Sequence, residues 1–130
     1  MYILVAEDDI DDQELLEQAL HTLKPDLNIA FITNGNKFRM YLDKLEDDSL
    51  PNLILLDYNL PELNGVDILK YLGEKDRYKT IPKIVWSTSN SAIFKNQSLE
   101  FGAIDYIVKP VTMESFVTVA GCLLYHADSN

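Results

Sequence analysis

Five short apolar runs alternate along the chain with longer stretches in which apolar residues recur at helical spacing. Runs of this length, bounded by turn-forming or charged residues, are typical of buried strands. The run at residues 53–56 is the most apolar and lies between Pro51 and Asp57, as expected for a strand covered on both faces. Strands that alternate with helices indicate an α/β fold, in which helices cover both faces of a parallel sheet.

The pattern predicts the bounds of five strands and five helices. The strands are expected at residues 3–6, 29–33, 53–56, 84–86 and 104–108. The helices are expected at residues 11–23, 38–45, 65–72, 91–101 and 112–125. Thr112 is the predicted N-cap of the last helix, because its hydroxyl can accept a hydrogen bond from a free amide of the first turn.

Composition narrows the classes of function. The chain has 130 residues and a formal net charge of −10, which disfavours contact with a nucleic-acid backbone. Its single cysteine, Cys122, excludes an internal disulfide, and the apolar run at residues 3–6 is too short to span a membrane. We therefore predict one domain over residues 1–130 with no attached output domain, a cytoplasmic location, and neither nucleic acid nor membrane as a partner.

Polar and charged residues follow four of the five predicted strands. The first strand is followed by Glu7, Asp8 and Asp9, the third by Asp57, the fourth by Ser87 and Thr88, and the fifth by Lys109 and Pro110. The carboxyl ends of parallel strands form the usual ligand-binding edge of such a sheet. We therefore expect these groups to converge there.

This set of groups suits phosphoryl transfer. Clustered carboxylates resist ionisation next to one another, and a hard cation such as Mg²⁺ relieves that conflict with oxygen ligands. Lys109 and Ser87 could then neutralise and bond an anion beside Asp57, which could act as a nucleophile. Taken singly, each residue also has an ordinary structural interpretation as a helix cap or a turn residue. Their joint occurrence at the strand ends favours the functional interpretation.

Four segments, at residues 3–9, 53–65, 82–88 and 102–110, resemble the receiver domains of response regulators in bacterial two-component systems. The resemblance extends over essentially the whole chain. It implies a flavodoxin-like, doubly wound α/β fold with a five-stranded parallel sheet in the order 2-1-3-4-5 and five helices. It also implies a switch controlled by phosphorylation rather than an enzyme that turns over a substrate.

The resemblance implies a role for individual residues at the phosphorylation site. Asp57 is the expected phosphoacceptor. The expected ligands of Mg²⁺ (or Mn²⁺) are Asp8, Asp57, the backbone carbonyl of Asn59 and, partly through water, Glu7. Two positions depart from the usual pattern. Asp9 adds a third consecutive acid, which we expect at the start of the first helix, and Thr88 stands where a smaller residue is frequent, which could alter the lifetime of the phosphorylated state.

The same resemblance implies how the switch works. Lys109 is expected to contact the phosphoryl group and Ser87 to move in and bond it. Tyr106 would then turn inward, and the Lys109–Pro110 peptide bond is expected to be cis.

Partners and alternatives follow from these roles. The expected phosphodonor is a sensor histidine kinase or a histidine phosphotransfer protein. The expected output is a downstream protein target or a homodimer through the last helix, whose sequence is more apolar than one buried face requires.

Two alternative functions remain. One is a receiver-like interaction module that is never phosphorylated. The other is a phosphatase with an aspartyl nucleophile, although Asn59 stands where its general acid would be. A nucleotide or flavin binder is disfavoured because no glycine-rich loop follows the first strand, and His21 and His126 are interpreted as solvated helix residues.

Overall fold

The computed structural model describes residues 1–128 and has the predicted α/β architecture. Five parallel strands form one sheet in the order β2-β1-β3-β4-β5, which confirms the predicted topology. The strands are β1 (Tyr2–Ala6), β2 (Asn28–Ile32), β3 (Leu53–Asp57), β4 (Lys83–Ser87) and β5 (Asp105–Val108). The helices are α1 (Ile10–Leu23), α2 (Gly35–Asp43), α3 (Gly65–Gly73), α4 (Ala92–Glu100) and α5 (Met113–Asp128).

Two apolar clusters fill the space on the two faces of the sheet. One lies under α2 and α3 and includes Leu4, Leu56 and Leu72, whereas the other lies under α1 and α5 and includes Val5 and Leu55. Successive strand residues point to opposite faces, so neighbouring positions such as Leu55 and Leu56 belong to different clusters. All five residues of β3 are buried, as expected of the central strand.

Side chains just before the helices determine where those helices begin. The carboxylate of Asp9 accepts a hydrogen bond from the amide of Asp12, so the expectation that Asp9 starts the first helix is confirmed. The hydroxyl of Thr112 accepts a hydrogen bond from the amide of Ser115, which confirms the predicted cap of α5. The first helix therefore starts directly after the β1 carboxylates, which brings its first turn beside them.

The packing of α5 explains most of its apolar sequence. Its buried residues pack against the sheet and α1, and three half-buried residues, Val117, Val119 and Leu124, join the same cluster. Among the large apolar residues of α5, only Tyr125 is exposed. The apolar excess of the last helix is therefore largely used within the monomer.

The peptide bond between Lys109 and Pro110 is trans. No peptide bond among residues 1–128 is cis, so the predicted cis bond between Lys109 and Pro110 is wrong for this structure. The trans form is the intrinsically favoured isomer of an X–Pro bond, and Lys109 reaches the carboxylates of the site with that bond trans.

Within residues 1–128, none of the helices combines the length and hydropathy that crossing a bilayer requires.

Candidate functional site

The ammonium group of Lys109 lies among three carboxylates at the carboxyl edge of the sheet. Its Nζ is 2.7 Å from Oε1 of Glu7, 2.9 Å from Oδ2 of Asp12 and 3.0 Å from Oδ2 of Asp57. These residues come from the ends of β1, β3 and β5 and from the first turn of α1. The predicted convergence of Glu7, Asp57 and Lys109 is therefore present in the fold.

Burial governs the electrostatics of this cluster. Glu7 is fully buried and only 4% of Asp57 is exposed. Burial raises the pKa of Glu7 to about 7, and the charge of Asp57 adds to this, although hydrogen bonds from Lys109 and the Asp9 amide oppose it. Burial alone would lower the pKa of Lys109, but hydrogen bonds to Glu7 and Asp12 reverse this and raise the pKa above its ordinary value. The site therefore holds more negative charge than Lys109 alone balances.

Asp57 is held at the turn that follows β3. Its Oδ1 accepts a hydrogen bond from the amide of Asn59 at 3.0 Å, while its Oδ2 contacts Lys109. The backbone of the next residue is also fixed, because the amide of Tyr58 donates to the carbonyl of Trp86. Asn59 itself is exposed. Both Asp57 oxygens therefore have a defined partner.

The site also contains a group of oxygen ligands that suits a cation. One carboxylate oxygen from each of Glu7, Asp8 and Asp57 lies within 4.8 Å of the other two. Asp8 is exposed, whereas Glu7 and Asp57 are buried, so the group is open on the side of Asp8. Oxygen ligands of this kind are those that Mg²⁺ and Mn²⁺ prefer.

Ser87 is the last residue of β4, the strand that lies between β3, which ends at Asp57, and β5, which precedes Lys109. Asp57 pairs in register with Trp86, the residue before Ser87, and the Ser87 carbonyl accepts a hydrogen bond from the Lys109 amide at 2.7 Å. The fully buried Ser87 hydroxyl accepts a hydrogen bond from the amide of Ser89, which leaves its own proton available to a new acceptor. Thr88 is exposed beside it.

Tyr106 already lies inside the molecule. Its ring is 8% exposed and packs in the α2–α3 cluster, and its hydroxyl donates to the carbonyl of Ser89 at 2.6 Å. The inward orientation that was expected after phosphorylation is thus present in this structure. Tyr106 and Ser87 both contact Ser89, so one loop joins the two predicted switch residues.

Comparison with known proteins identifies the family. Residues 3–120 match the response regulator receiver domain. The chain belongs to this family. Its receiver domain is similar to the two-component response regulator ORR3 of Oryza sativa subsp. indica, with 31% identity over 85% of this chain and 80% of that protein.

Solved receiver structures have the same fold. The phosphorylated cyanobacterial phytochrome response regulator RcpA has a TM-score of 0.88 and 26% identity, covering 99% of this chain and 95% of its own. The Mn²⁺-bound form of the response regulator Rcp1 has a TM-score of 0.79 and 27% identity, covering 92% of this chain and 88% of its own. These matches agree with the strand order of this receiver domain.

Two residues of the receiver site were not anticipated from the sequence. Asp12 lies in the first turn of α1, and its side chain reaches Lys109. Tyr58 stacks on Phe94 of α4 with ring centroids 4.1 Å apart, and its hydroxyl donates to Oε1 of Gln97 at 2.6 Å. The position of Asp12 in the first turn, close behind the β1 acids, was the signal that could have identified it; nothing local indicated the partners of Tyr58.

Proposed function

We propose that this receiver domain is a phosphorylation-dependent signalling switch in which Asp57 accepts the phosphoryl group. The observation that carries the proposal is the 3.0 Å contact between the Lys109 ammonium and the Asp57 carboxylate beside a cluster of further carboxylates. The phosphodonor would be a sensor histidine kinase or a histidine phosphotransfer protein. Membership of the receiver family supports this class of donor.

Mg²⁺ or Mn²⁺ fits the oxygen ligands of the site. Glu7, Asp8 and Asp57 would hold the ion, with the backbone carbonyl of Asn59 as a further ligand. When bound, the cation supplies positive charge that offsets the phosphoryl oxygens in the transition state. The Mn²⁺-bound relative supports this class of ion, and the three neighbouring carboxylate oxygens supply the oxygen ligands that such an ion needs.

The chemistry needs a nucleophile and a charge partner from this chain. An Asp57 oxygen attacks phosphorus and forms a new P–O bond, while the bond from phosphorus to the donor breaks and its electron pair leaves with the donor. Lys109, which already contacts Asp57, would bond an oxygen of the transferred group and balance part of its charge. The product is an acyl phosphate on Asp57.

The switch would act through the loop after β4. A phosphoryl group adds roughly −1.5 to −2 charges and three strong acceptor oxygens beside Ser87, whose hydroxyl proton is available. If Ser87 donates to a phosphoryl oxygen, its side chain would be drawn toward Asp57. Because the same hydroxyl accepts from the Ser89 amide, this would move the loop, to which Tyr106 is also hydrogen-bonded. Thr88, exposed at the same point, would influence access of donor and water.

The affected surface would be formed by α4, β5 and α5. Large exposed apolar residues are concentrated on α4, on β5 and next to these elements: Ile93, Leu99, Phe101, Ile104, Val108, Val111 and Tyr125. We infer that this surface meets a downstream protein or a second copy of the chain. Because α5 uses most of its apolar residues inside the monomer, the proposed surface depends more on α4 and β5 than on α5.

Intact-mass spectrometry after treatment with acetyl phosphate and Mg²⁺ tests the phosphoacceptor. We expect the wild-type chain to gain the mass of one phosphoryl group and the Asp57→Ala variant to gain none. Asp11→Asn is the matched control, because Asp11 is an exposed acid of the first turn of α1 that lacks the Lys109 contact. The control should be phosphorylated like the wild type.

Two results would overturn the proposal. A wild-type chain that gains no mass with any small phosphodonor would favour an interaction module that is never phosphorylated. An Asp57→Ala variant that still gains one phosphoryl group would place the acceptor elsewhere.

A further inference from the structure

A second group of potential metal ligands lies between β5 and α5, apart from the phosphorylation site. It consists of Asp105, the first residue of β5, and of Cys122 and His126 of α5. One ligand atom from each side chain lies within 4.8 Å of the other two, and all three residues are half-buried. We propose that this group binds a divalent transition-metal ion of the Zn²⁺ class.

The backbone places these three side chains together. Cys122 and His126 are four residues apart on α5 and therefore share one helix face. Alternate residues of a strand share a face, so Asp105 lies on the same face of β5 as Ile107. Ile107 packs in the cluster under α1 and α5, whereas Tyr106 packs in the opposite cluster. Asp105 is therefore on the side of the sheet that α5 covers.

The types of ligand decide which ion the site prefers. A thiolate, an imidazole and a carboxylate form a donor set of sulfur, nitrogen and oxygen that Zn²⁺ accepts in tetrahedral geometry. Mg²⁺ prefers oxygen ligands alone, so it belongs at the β1–β3 carboxylates instead. Three ligands from the protein leave the fourth position for water. With metal–ligand bonds of about 2.0–2.3 Å, small side-chain rotations would bring the three ligand atoms to bonding distance.

The structure assigns these side chains few other roles. Within residues 1–128, the Asp105 carboxylate accepts one hydrogen bond, from the Tyr106 amide at 2.8 Å, and makes no ion pair. Cys122 is a free thiol, and the ring of His126 makes an edge contact with the ring of Tyr125. Free ligand atoms are thus available to an ion that reaches the half-buried site.

The two histidines of the chain differ in this respect. His21 has a ring nitrogen 2.9 Å from the carbonyl oxygen of Leu27, so it already has a backbone partner. His126 instead faces Cys122 and Asp105, so its interpretation as a solvated helix residue is incomplete. His21 therefore provides a matched control for His126.

Cobalt spectroscopy on the untagged, reduced chain of residues 1–130 tests the site directly. Excess Mg²⁺ would first saturate the carboxylate site, and Co²⁺ would then be titrated as the probe. We expect one equivalent of Co²⁺ to produce a thiolate-to-cobalt charge-transfer band together with the visible bands of a tetrahedral complex. Zn²⁺ should displace the Co²⁺ and abolish these bands.

Substitutions identify the ligands. Cys122→Ser should remove the charge-transfer band, and Asp105→Asn and His126→Ala should each weaken Co²⁺ binding by at least about tenfold. His21→Asn should bind Co²⁺ as the wild type does. Circular dichroism of each variant confirms that it is folded before its affinity is compared.

Two results would overturn the proposal. One is the absence of a charge-transfer band from the wild-type chain at millimolar Co²⁺. The other is binding that requires Cys122 but is unchanged in Asp105→Asn and His126→Ala, which would show that a single thiol binds the ion adventitiously.

Discussion

Lys109 has an unusual number of acidic partners for one ammonium group. Three carboxylates lie within 3.0 Å of its Nζ, and one of them, Glu7, is fully buried. A buried pair that loses one member leaves an uncompensated charge, which costs about 3–5 kcal/mol unless the remaining group changes its protonation. Glu7 has this second option, because its pKa lies near neutrality. Lys109 supplies the positive charge that balances the site. Its single charge thus also limits how many of the neighbouring carboxylates are ionised together.

The raised pKa of Glu7 predicts a pH dependence of stability in the absence of divalent cations. Between the ordinary pKa near 4.5 and about 7, Glu7 is protonated in the folded chain and ionised in the unfolded chain. The folded state then binds more protons, so the free energy of unfolding falls as pH rises through this window, by at most about 3 kcal/mol. Urea denaturation in EDTA at pH 5 and pH 7.5 measures the change.

The Glu7→Gln variant isolates this effect from the other acids. Glutamine has nearly the same shape and does not titrate, so the variant should lose less stability than the wild type between the two pH values. The same decrease in both proteins would show that Glu7 is not the group responsible. Adding Mg²⁺ should reduce the wild-type decrease, since the cation favours the ionised carboxylate.

Among the secondary-structure elements, α3 and α4 contact the site in different ways. The first residue of α3, Gly65, lies against the backbone of Asp57: a Cβ there would be 2.6 Å from the Asp57 carbonyl oxygen. By contrast, α4 buries only Ser98 and is connected to the site by the stacking of Phe94 on Tyr58. A helix with few buried apolar contacts can unfold locally or move away from the sheet at a low cost in free energy. The close fit of α3 thus positions Asp57, whereas α4 is suited to move.

Gly65→Ala should therefore disturb the site through its backbone. The added methyl group must displace the turn after Asp57, so we expect a loss of about 1–3 kcal/mol in the free energy of unfolding and slower phosphorylation by acetyl phosphate. Gly73→Ala is the matched control at the other end of α3, because a Cβ there meets nothing within 4 Å. The control should keep wild-type stability or gain up to about 1 kcal/mol. Equal effects at the two positions would contradict the proposed role of the close contact.

For the whole molecule, the strength of the proposed switch would depend on how much free energy phosphorylation supplies. Changing a conformational ratio from 1:99 to 99:1 requires about 5.5 kcal/mol. One or two charge-assisted hydrogen bonds, at Ser87 and Lys109, contribute about 1.5–3 kcal/mol each. The burial of exposed apolar residues such as Ile104 and Val108 against a second copy would add to this. Two bonds at the lower end of this range supply about 3 kcal/mol, which would produce a graded change, and dimerisation would then bring it toward completion.

Sedimentation velocity tests the contribution of dimerisation. With beryllofluoride and Mg²⁺, which mimic the phosphorylated state, we expect a shift from monomer toward dimer that depends on protein concentration. Asp57→Asn under the same conditions should remain monomeric, as should the wild type without the mimic. A wild-type chain that sediments as a monomer in both states would leave a different protein as the partner of the α4–β5–α5 surface.

The amino-acid sequence by itself determined the α/β class, the approximate bounds of the ten elements and the meeting of Asp57, Glu7 and Lys109 at one sheet edge. Apolar runs and helical periodicity specify the elements locally, and the parallel arrangement then brings the strand ends together. The tertiary structure alone decided that Asp12 joins Lys109, that Tyr106 points inward, that the Lys109–Pro110 bond is trans, and that Asp105 meets Cys122 and His126. These features depend on side-chain rotamers and on packing between distant elements, which no local pattern encodes.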